Sequence, residues 1–303
     1  MIIAFLFPGQ GSQHVGMGSI LYESEPASRA VFDHADEILG FALSDLCFYG
    51  PEEELTDTGN QQPALFVTSI AALRAMEEHN AQTADFVAGH SLGQFSALVA
   101  CGSLAFDDGL ALVQQRAALM KKAGENEPGG MAAILGLDVS EVGEICQRAQ
   151  NKTGKPLQIA NDNCPGQVVI SGDNEALEEA ILMTIDSKAR KVVRLPISIA
   201  AHSPLMKSAA ENFSEVIEQT PFTAPRIPII GNVSAAPLKD PGEIREDLKA
   251  QLTSPVMWTD SMECLLHMDA DTFYEVGSGS VLLGLLKRIN RKVERVKWEI
   301  PSP

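Results

Sequence analysis

Residues 89–93 read Gly-His-Ser-Leu-Gly, the GxSxG spacing in which a serine hydroxyl can be presented as a nucleophile. The pattern matters only in context. A strand-like run, DFVAGH at 85–90, precedes it, and a small-residue helical run, FSALVACG, follows. Flanking glycines leave room for a sharp turn that lifts the Ser91 hydroxyl out at the strand end. The following helix points unpaired N–H groups and the positive end of its dipole at that place. The backbone N–H of Leu92 is then set to meet a developing oxyanion. The competing reading is a glycine-flanked serine in an ordinary strand-to-helix turn.

A serine of this kind needs a base, and the chain has six histidines. His34, His79 and His267 lie in polar helical stretches and read as surface residues. His90 neighbours Ser91 in sequence, but alternation at a strand end turns its side chain away. His14 sits in a glycine-rich loop and stays a candidate. His202 is the stronger one, ending LPISIAAH where Ser203-Pro204 signals a helix start by cap and first-turn proline. Its alternative is a buried histidine bonded to backbone.

Arg116 lies in a helical stretch, 107–122, whose apolar stripe is Leu110, Val113, Ala117 and Met120. The guanidinium projects at the edge of that stripe, away from Gln114, Lys121 and Lys122. An inward arginine calls for an anion, and its planar fork suits a carboxylate. Periodicity alone does not separate a substrate carboxylate from an internal Asp or Glu, or from a side chain that snorkels to water. Residues 8–18, PGQGSQHVGMG, form neither a phosphate-binding GxxxxGK[ST] loop nor a dinucleotide GxGxxG turn. They can still offer backbone N–H groups and Gln10 to negative charge.

The elements that must carry these residues alternate between strand and helix, the rhythm of an α/β fold with a mainly parallel sheet. Residues 2–7 (IIAFLF) read as its first buried strand and not as a signal peptide. Helix 107–122 is expected to be capped by Asp107 or Asp108. From 128 to 197 the rhythm changes. A strand opened by Gly129-Gly130 leads to a helix capped by Ser140, with Val142, Ile145, Cys146 and Ala149 on one face. Strands near 157–160 and 167–171 follow, then a helix with Leu177, Ile181 and Ile185 along one side, then the strand KVVRLPI. That βαββαβ order is the ferredoxin-like unit. The expected organisation is a large α/β hydrolase-like catalytic subdomain of residues 1–127 and 198–303 with a ferredoxin-like small subdomain of residues 128–197 inserted.

Composition excludes several classes. At 303 residues and 45% hydrophobic content the chain can build a substantial core. A net charge of −17 argues against nucleic acid, and no apolar run reaches the roughly 18 residues of a membrane span. The five cysteines are scattered without a CxxC pair, which supports neither a metal site nor a disulfide framework and fits reduced thiols in a cytoplasmic protein.

Taken in order, FPGQGSQ, GHSLGQ, QQRAALM, ISIAAHSPLM, QLTSPVMW and YEVGSGSVLLGLLKRI resemble the malonyl-CoA:acyl carrier protein transacylase family, which shares a superfamily with polyketide synthase acyltransferase domains. The resemblance spans essentially the whole chain. It implies ping-pong malonyl transfer from malonyl-CoA to the phosphopantetheine thiol of an acyl carrier protein, with no cofactor or metal and a monomeric protein. By the resemblance, Ser91 is the nucleophile and His202 its base. The backbone N–H groups of Gln10 and Leu92 form the oxyanion hole, Arg116 pairs with the malonyl carboxylate, and Gln251 supplies a carbonyl that orients His202. Gln62, Asn161 and Asn163 match motifs near the cleft. Two positions depart from the family: Gln94 stands where Glu is common, and IAA precedes His202.

Two other readings compete. An esterase or thioesterase would use the same elbow, but its usual order is Ser, acid, His with the histidine late. Here about a hundred residues follow His202 and no acid stands out. A binding module with a vestigial site is countered by Ser91, His202, Arg116 and Gln10 standing together. For an acidic carrier, the basic runs Lys188, Arg190, Lys191, Arg194 and Lys287, Arg288, Arg291, Lys292 are the candidate docking patches; the alternative for either is a solvated basic face.

Overall fold

A computed structural model describes residues 1–79, 81–185 and 187–298. Its strands, in chain order, are β1 (Ile3–Phe7), β2 (Phe86–Gly89), β3 (Gly129–Leu135), β4 (Leu157–Cys164), β5 (Gln167–Asp173) and β6 (Lys191–Arg194). The remainder are β7 (Ile229–Ile230), β8 (Pro237–Leu238), β9 (Val256–Met257), β10 (Thr272–Glu275) and β11 (Glu294–Lys297). Among the described residues they form two sheets, ordered β11-β10-β1-β2-β7-β8 and β6-β3-β5-β4-β9.

The first sheet is parallel from β11 to β7, with only β8 antiparallel at its edge. β1 is buried along its whole length, as a strand covered by helices on both faces must be. Pairing of Phe7 with Gly89 brings the ends of β1 and β2 side by side. That register places the loop carrying Gln10 next to the turn carrying Ser91. Three glycines permit the close approach: a Cβ on Gly9 would meet the His90 carbonyl, one on Gly89 the backbone of Gly93, and one on Gly93 the Phe7 carbonyl.

The second sheet is antiparallel apart from the β4/β9 contact. Alternation along β3 divides it between two cores. Ala132 and Ile134 join the helices Val139–Thr153 and Asn174–Ile185 in a separate cluster, while Met131 and Ala133 turn to the main core. The sequence order βαββαβ is present here as expected. β9, from well beyond residue 197, adds a fifth strand by pairing with β4 at Asn161 and Asp162.

Several local expectations need correction. The arginine helix runs Phe106–Asn126, and neither Asp107 nor Asp108 caps it by a side-chain bond. Both sit in its first turn, where they favour the helix dipole, and Asp107 bonds His34 at 2.8 Å. Helix Val139–Thr153 is capped by Asp138 in a capping box with Glu141, and Ser140 only donates to Asp138. In helix Asn174–Ile185 the buried residues are Ala176, Leu177, Ala180 and Thr184. Ile181 is half-buried and Ile185 is 72% exposed. Three-residue and four-residue steps alternate on a helix, so the repeated four-step reading drifted off the buried face. No described helix is long and apolar enough to cross a membrane.

Candidate active site

Ser91 and His202 share an unusual backbone state. Their φ angles are 51° and 58°, in the left-handed region that side chains other than glycine rarely adopt. Holding each there costs about 1–3 kcal/mol, which the surrounding structure must offset. In return the two side chains meet: His202 Nε2 lies 2.8 Å from Ser91 Oγ. The other ring nitrogen, Nδ1, is 2.7 Å from the Gln251 carbonyl. A carbonyl only accepts, so Nδ1 carries the proton and Nε2 is left free to accept one from the serine. Among the described residues no carboxylate bonds either side chain of the pair. Ser203 accepts the Leu205 N–H and starts the turn after His202, as the Ser-Pro pair predicts.

Arg116 is fully buried. Its guanidinium donates to Gln62 Oε1 at 2.7 Å, Gln251 Oε1 at 3.0 Å and Ser91 Oγ at 3.0 Å. Phe95 flanks it, ring centre 5.8 Å from Cζ. Among the described residues no Asp or Glu forms an ion pair with it, and Nε has no partner. Of the partners the helix periodicity left open, the internal acid and the route to water are both ruled out. Burial presses the guanidinium down, to about 9, so it remains a cation at neutral pH.

The same burial pushes the His202 imidazole down to about 3, with the charge of Arg116 as the next contribution. Both effects disfavour a second positive charge beside Ser91. The Leu92 N–H and the Gln10 N–H have no acceptor within the protein among the described residues. The Gln10 side chain itself is tied to Gln61 Oε1 at 2.6 Å. In front of Ser91 and His202 lies a cavity of about 230 Å³, lined also by Gln10, Met131, Asn161 and Ile197.

The remaining histidines lie elsewhere. His34, His79 and His267 are exposed. His14 is exposed and contacts Ser278 at 3.2 Å, not Ser91. His90 turns from Ser91 to Asn163 Oδ1, 2.8 Å away, with its ring against Trp258. Three residues close to the pair carried no local signal in the sequence. Gln158 on β4 donates to the carbonyls of His202 and Thr253 at 2.8 and 2.9 Å, tying the second sheet to the histidine turn. Asn232 accepts the Ser91 N–H at 2.7 Å and donates to the Gly89 carbonyl at 2.7 Å. Asp247 accepts from the Asn232 N–H and from Gln94. Their partners are 15 to 153 residues away along the chain, beyond the reach of any helical or strand period. Among the described residues no group of three His, Cys, Asp or Glu gathers to hold a metal ion.

A mainly parallel sheet, a serine at the C-terminal end of one strand and a histidine held by a backbone carbonyl form the layout of an acyltransferase. A family model described as the acyl transferase domain matches residues 4–300. The malonyl CoA-acyl carrier protein transacylase of Bacillus subtilis (strain 168) is 45% identical over 99% of this chain and 94% of its own. The protein of that name from Escherichia coli O157:H7 is 41% identical over 94% and 92%. The solved structure of the malonyl CoA-acyl carrier protein transacylase from Coxiella burnetii aligns with a TM-score of 0.95 at 36% identity, covering 98% of this chain and 93% of its own. A malonyl-transacylase solved in complex with a type II polyketide synthase acyl-carrier protein aligns equally well, at 0.95 and 36%, over 98% and 96%. The chain belongs to the acyl transferase family and, within it, to the malonyl CoA-acyl carrier protein transacylases.

Proposed function

We propose that this chain transfers a malonyl group from malonyl-CoA to the phosphopantetheine thiol of an acyl carrier protein, through a malonyl ester on Ser91. The observation that carries the reading is Arg116: a buried cation without a carboxylate partner, 3.0 Å from the serine oxygen. A malonyl carboxylate supplies the missing anion and suits the guanidinium fork.

In the first half-reaction Ser91 Oγ attacks the thioester carbonyl while its proton passes to His202 Nε2. The oxyanion is met by the N–H groups of Leu92 and Gln10. Collapse breaks the C–S bond, and the coenzyme A thiolate takes the proton from His202. In the second half the carrier thiol gives its proton to His202, its sulfur attacks the ester, and Ser91 leaves with the proton restored. The reaction balances without a metal or redox group. Arg116 also links binding to basicity. A bound carboxylate offsets the positive charge that helps depress His202, so malonyl substrates strengthen the base that must serve them.

For carrier docking, one member of each basic run, Arg190 and Arg288, lies near the same pair of glycines. Gly136 lies against Arg190, Gly166 against Arg288, and the two glycines are neighbours. A local basic edge offers an acidic carrier a landing place on an acidic protein. The cysteines are free and all but Cys264 are buried, which suits a reducing, cytoplasmic setting; we take the working unit to be a monomer.

Intact mass spectrometry tests the proposal. Incubation with malonyl-CoA is expected to add one malonyl group, absent in Ser91→Ala, and subsequent holo carrier protein is expected to remove it and acquire it. If free malonate is released at the same rate with or without carrier, the protein is a hydrolase.

A further inference from the structure

Asp247 lies on the helix Pro241–Gln251, one turn before Gln251, and is 6% exposed. Its carboxylate accepts four bonds. Oδ2 takes the Gln94 Nε2 donor at 2.8 Å and the Asn232 N–H at 3.0 Å. Oδ1 takes the N–H groups of Val233 at 3.2 Å and Ser234 at 3.0 Å. Two chains of hydrogen bonds lead from it to the reacting centre. In one, Gln94 Oε1 accepts from Gln251 Nε2 at 2.5 Å, and Gln251 Oε1 accepts from Arg116 at 3.0 Å. In the other, Asn232 accepts the Ser91 N–H and holds the Gly89 carbonyl.

The direction of the first chain is a matter of donor and acceptor chemistry. A carboxylate only accepts, whereas each glutamine amide has one donating and one accepting end. Asp247 therefore fixes the NH2 end of Gln94 toward itself. That leaves Gln94 Oε1 for Gln251 and, in turn, Gln251 Oε1 for Arg116. Reversing Gln94 would set its oxygen against the Asp247 carboxylate and its NH2 against that of Gln251, and reversing Gln251 would set NH2 against guanidinium. Gln94, Gln251 and Asn232 are each at most 1% exposed, so water cannot repair a mismatch.

We propose that Asp247 is a positioning residue for the acyl-transfer site, orienting Arg116 through Gln94 and Gln251 and Ser91 through Asn232. The Arg116 half rests on the malonyl reading given above; the Ser91 half does not. Residue 94 also acquires a meaning. A glutamate there would face the Asp247 carboxylate at hydrogen-bonding distance, like charge against like charge. The glutamine and the aspartate are a matched pair, with the negative charge one link further from Arg116.

The test uses Asp247→Asn and the double variant Asp247→Asn with Gln94→Glu. In the single variant an NH2 group faces Gln94, both glutamines are driven to reverse, and Arg116 loses the Gln251 acceptor while keeping Gln62. Malonylation of Ser91 is expected to fall about 10- to 100-fold, with the malonyl-to-acetyl ratio falling alongside. A glutamate at 94 accepts from both sides, so the double variant is expected to recover the ratio to within a few-fold of wild type. Labelling of Ser91 by a fluorophosphonate reads the second chain without using malonyl-CoA, and is expected to slow in Asp247→Asn. The proposal is overturned if the single variant keeps both the ratio and the labelling rate. It is equally overturned if both fall only in step with the melting temperature and the double variant restores nothing. Should the wild type itself take no malonyl group, the malonyl reading fails and the labelling rate alone decides for or against Asp247.

Discussion

The two sides of Ser91 are built differently. Behind it, Asp247, Asn232, Gln94, Gln251 and Arg116 form a dry network with nearly every donor matched to an acceptor. In front of it, the Leu92 and Gln10 N–H groups have no acceptor among the described residues, and a cavity of about 230 Å³ opens. The rear holds geometry that the chain could not keep by itself, since both Ser91 and His202 sit at positive φ. The front holds N–H groups that have no partner among the described residues, beside the Ser91–His202 pair. Arg116 belongs to both sides: it is anchored by two glutamines and reaches the serine oxygen. The contrast teaches that rigidity and reactivity here are separated by one side chain's depth.

Removing Arg116 breaks the contrast most severely. A cation and anion buried together typically account for about 2–5 kcal/mol when one is lost. At about 1.4 kcal/mol per tenfold, malonyl transfer in Arg116→Ala is expected to fall by about 30-fold to several thousand-fold. Acetyl transfer is expected to fall far less or to rise, because acetyl-CoA brings no carboxylate and no longer leaves the cation unpaired. The specificity constants of both substrates, measured beside a thermal melt, decide the matter. Equal losses with a lowered melting temperature would make Arg116 a structural residue only.

A smaller effect tests how well His202, between the two sides, is shielded from water. His202 is held at about 3 in the fold against an ordinary 6.5. Between those values the unfolded chain binds a proton that the folded chain refuses. The stability it contributes is therefore complete above about 6.5 and lost as pH falls toward 3, at up to about 1.4 kcal/mol per pH unit. Denaturant melts of His202→Gln across that window are expected to show a shallower slope than wild type by up to this amount. Parallel slopes would mean that water reaches the imidazole in the folded protein.

Much of this was legible in the sequence, and the boundary has a physical cause. Ser91 stood out because glycines, strand and helix all adjoin it. Arg116 stood out because a charge interrupted an apolar stripe, and His202 because Ser203-Pro204 marked the turn after it. Those signals are local. Helix caps were misread where an acid two residues upstream, Asp138, competed with Ser140 for the same role. In the sequence Asp247 is one more acid in the polar run PGEIREDLKAQ, and only folding shows it facing Gln94 and the loop after β7. Gln158 was hidden likewise, since its two acceptors, the carbonyls of His202 and Thr253, belong to another part of the chain.

The most direct measurement offers the wild-type protein an equal mixture of malonyl-CoA and acetyl-CoA and reads the Ser91 peptide by mass spectrometry. A malonyl ester in large excess over acetyl is the predicted result. Acetyl and malonyl esters in proportion to supply, or an unmodified Ser91, would contradict the account.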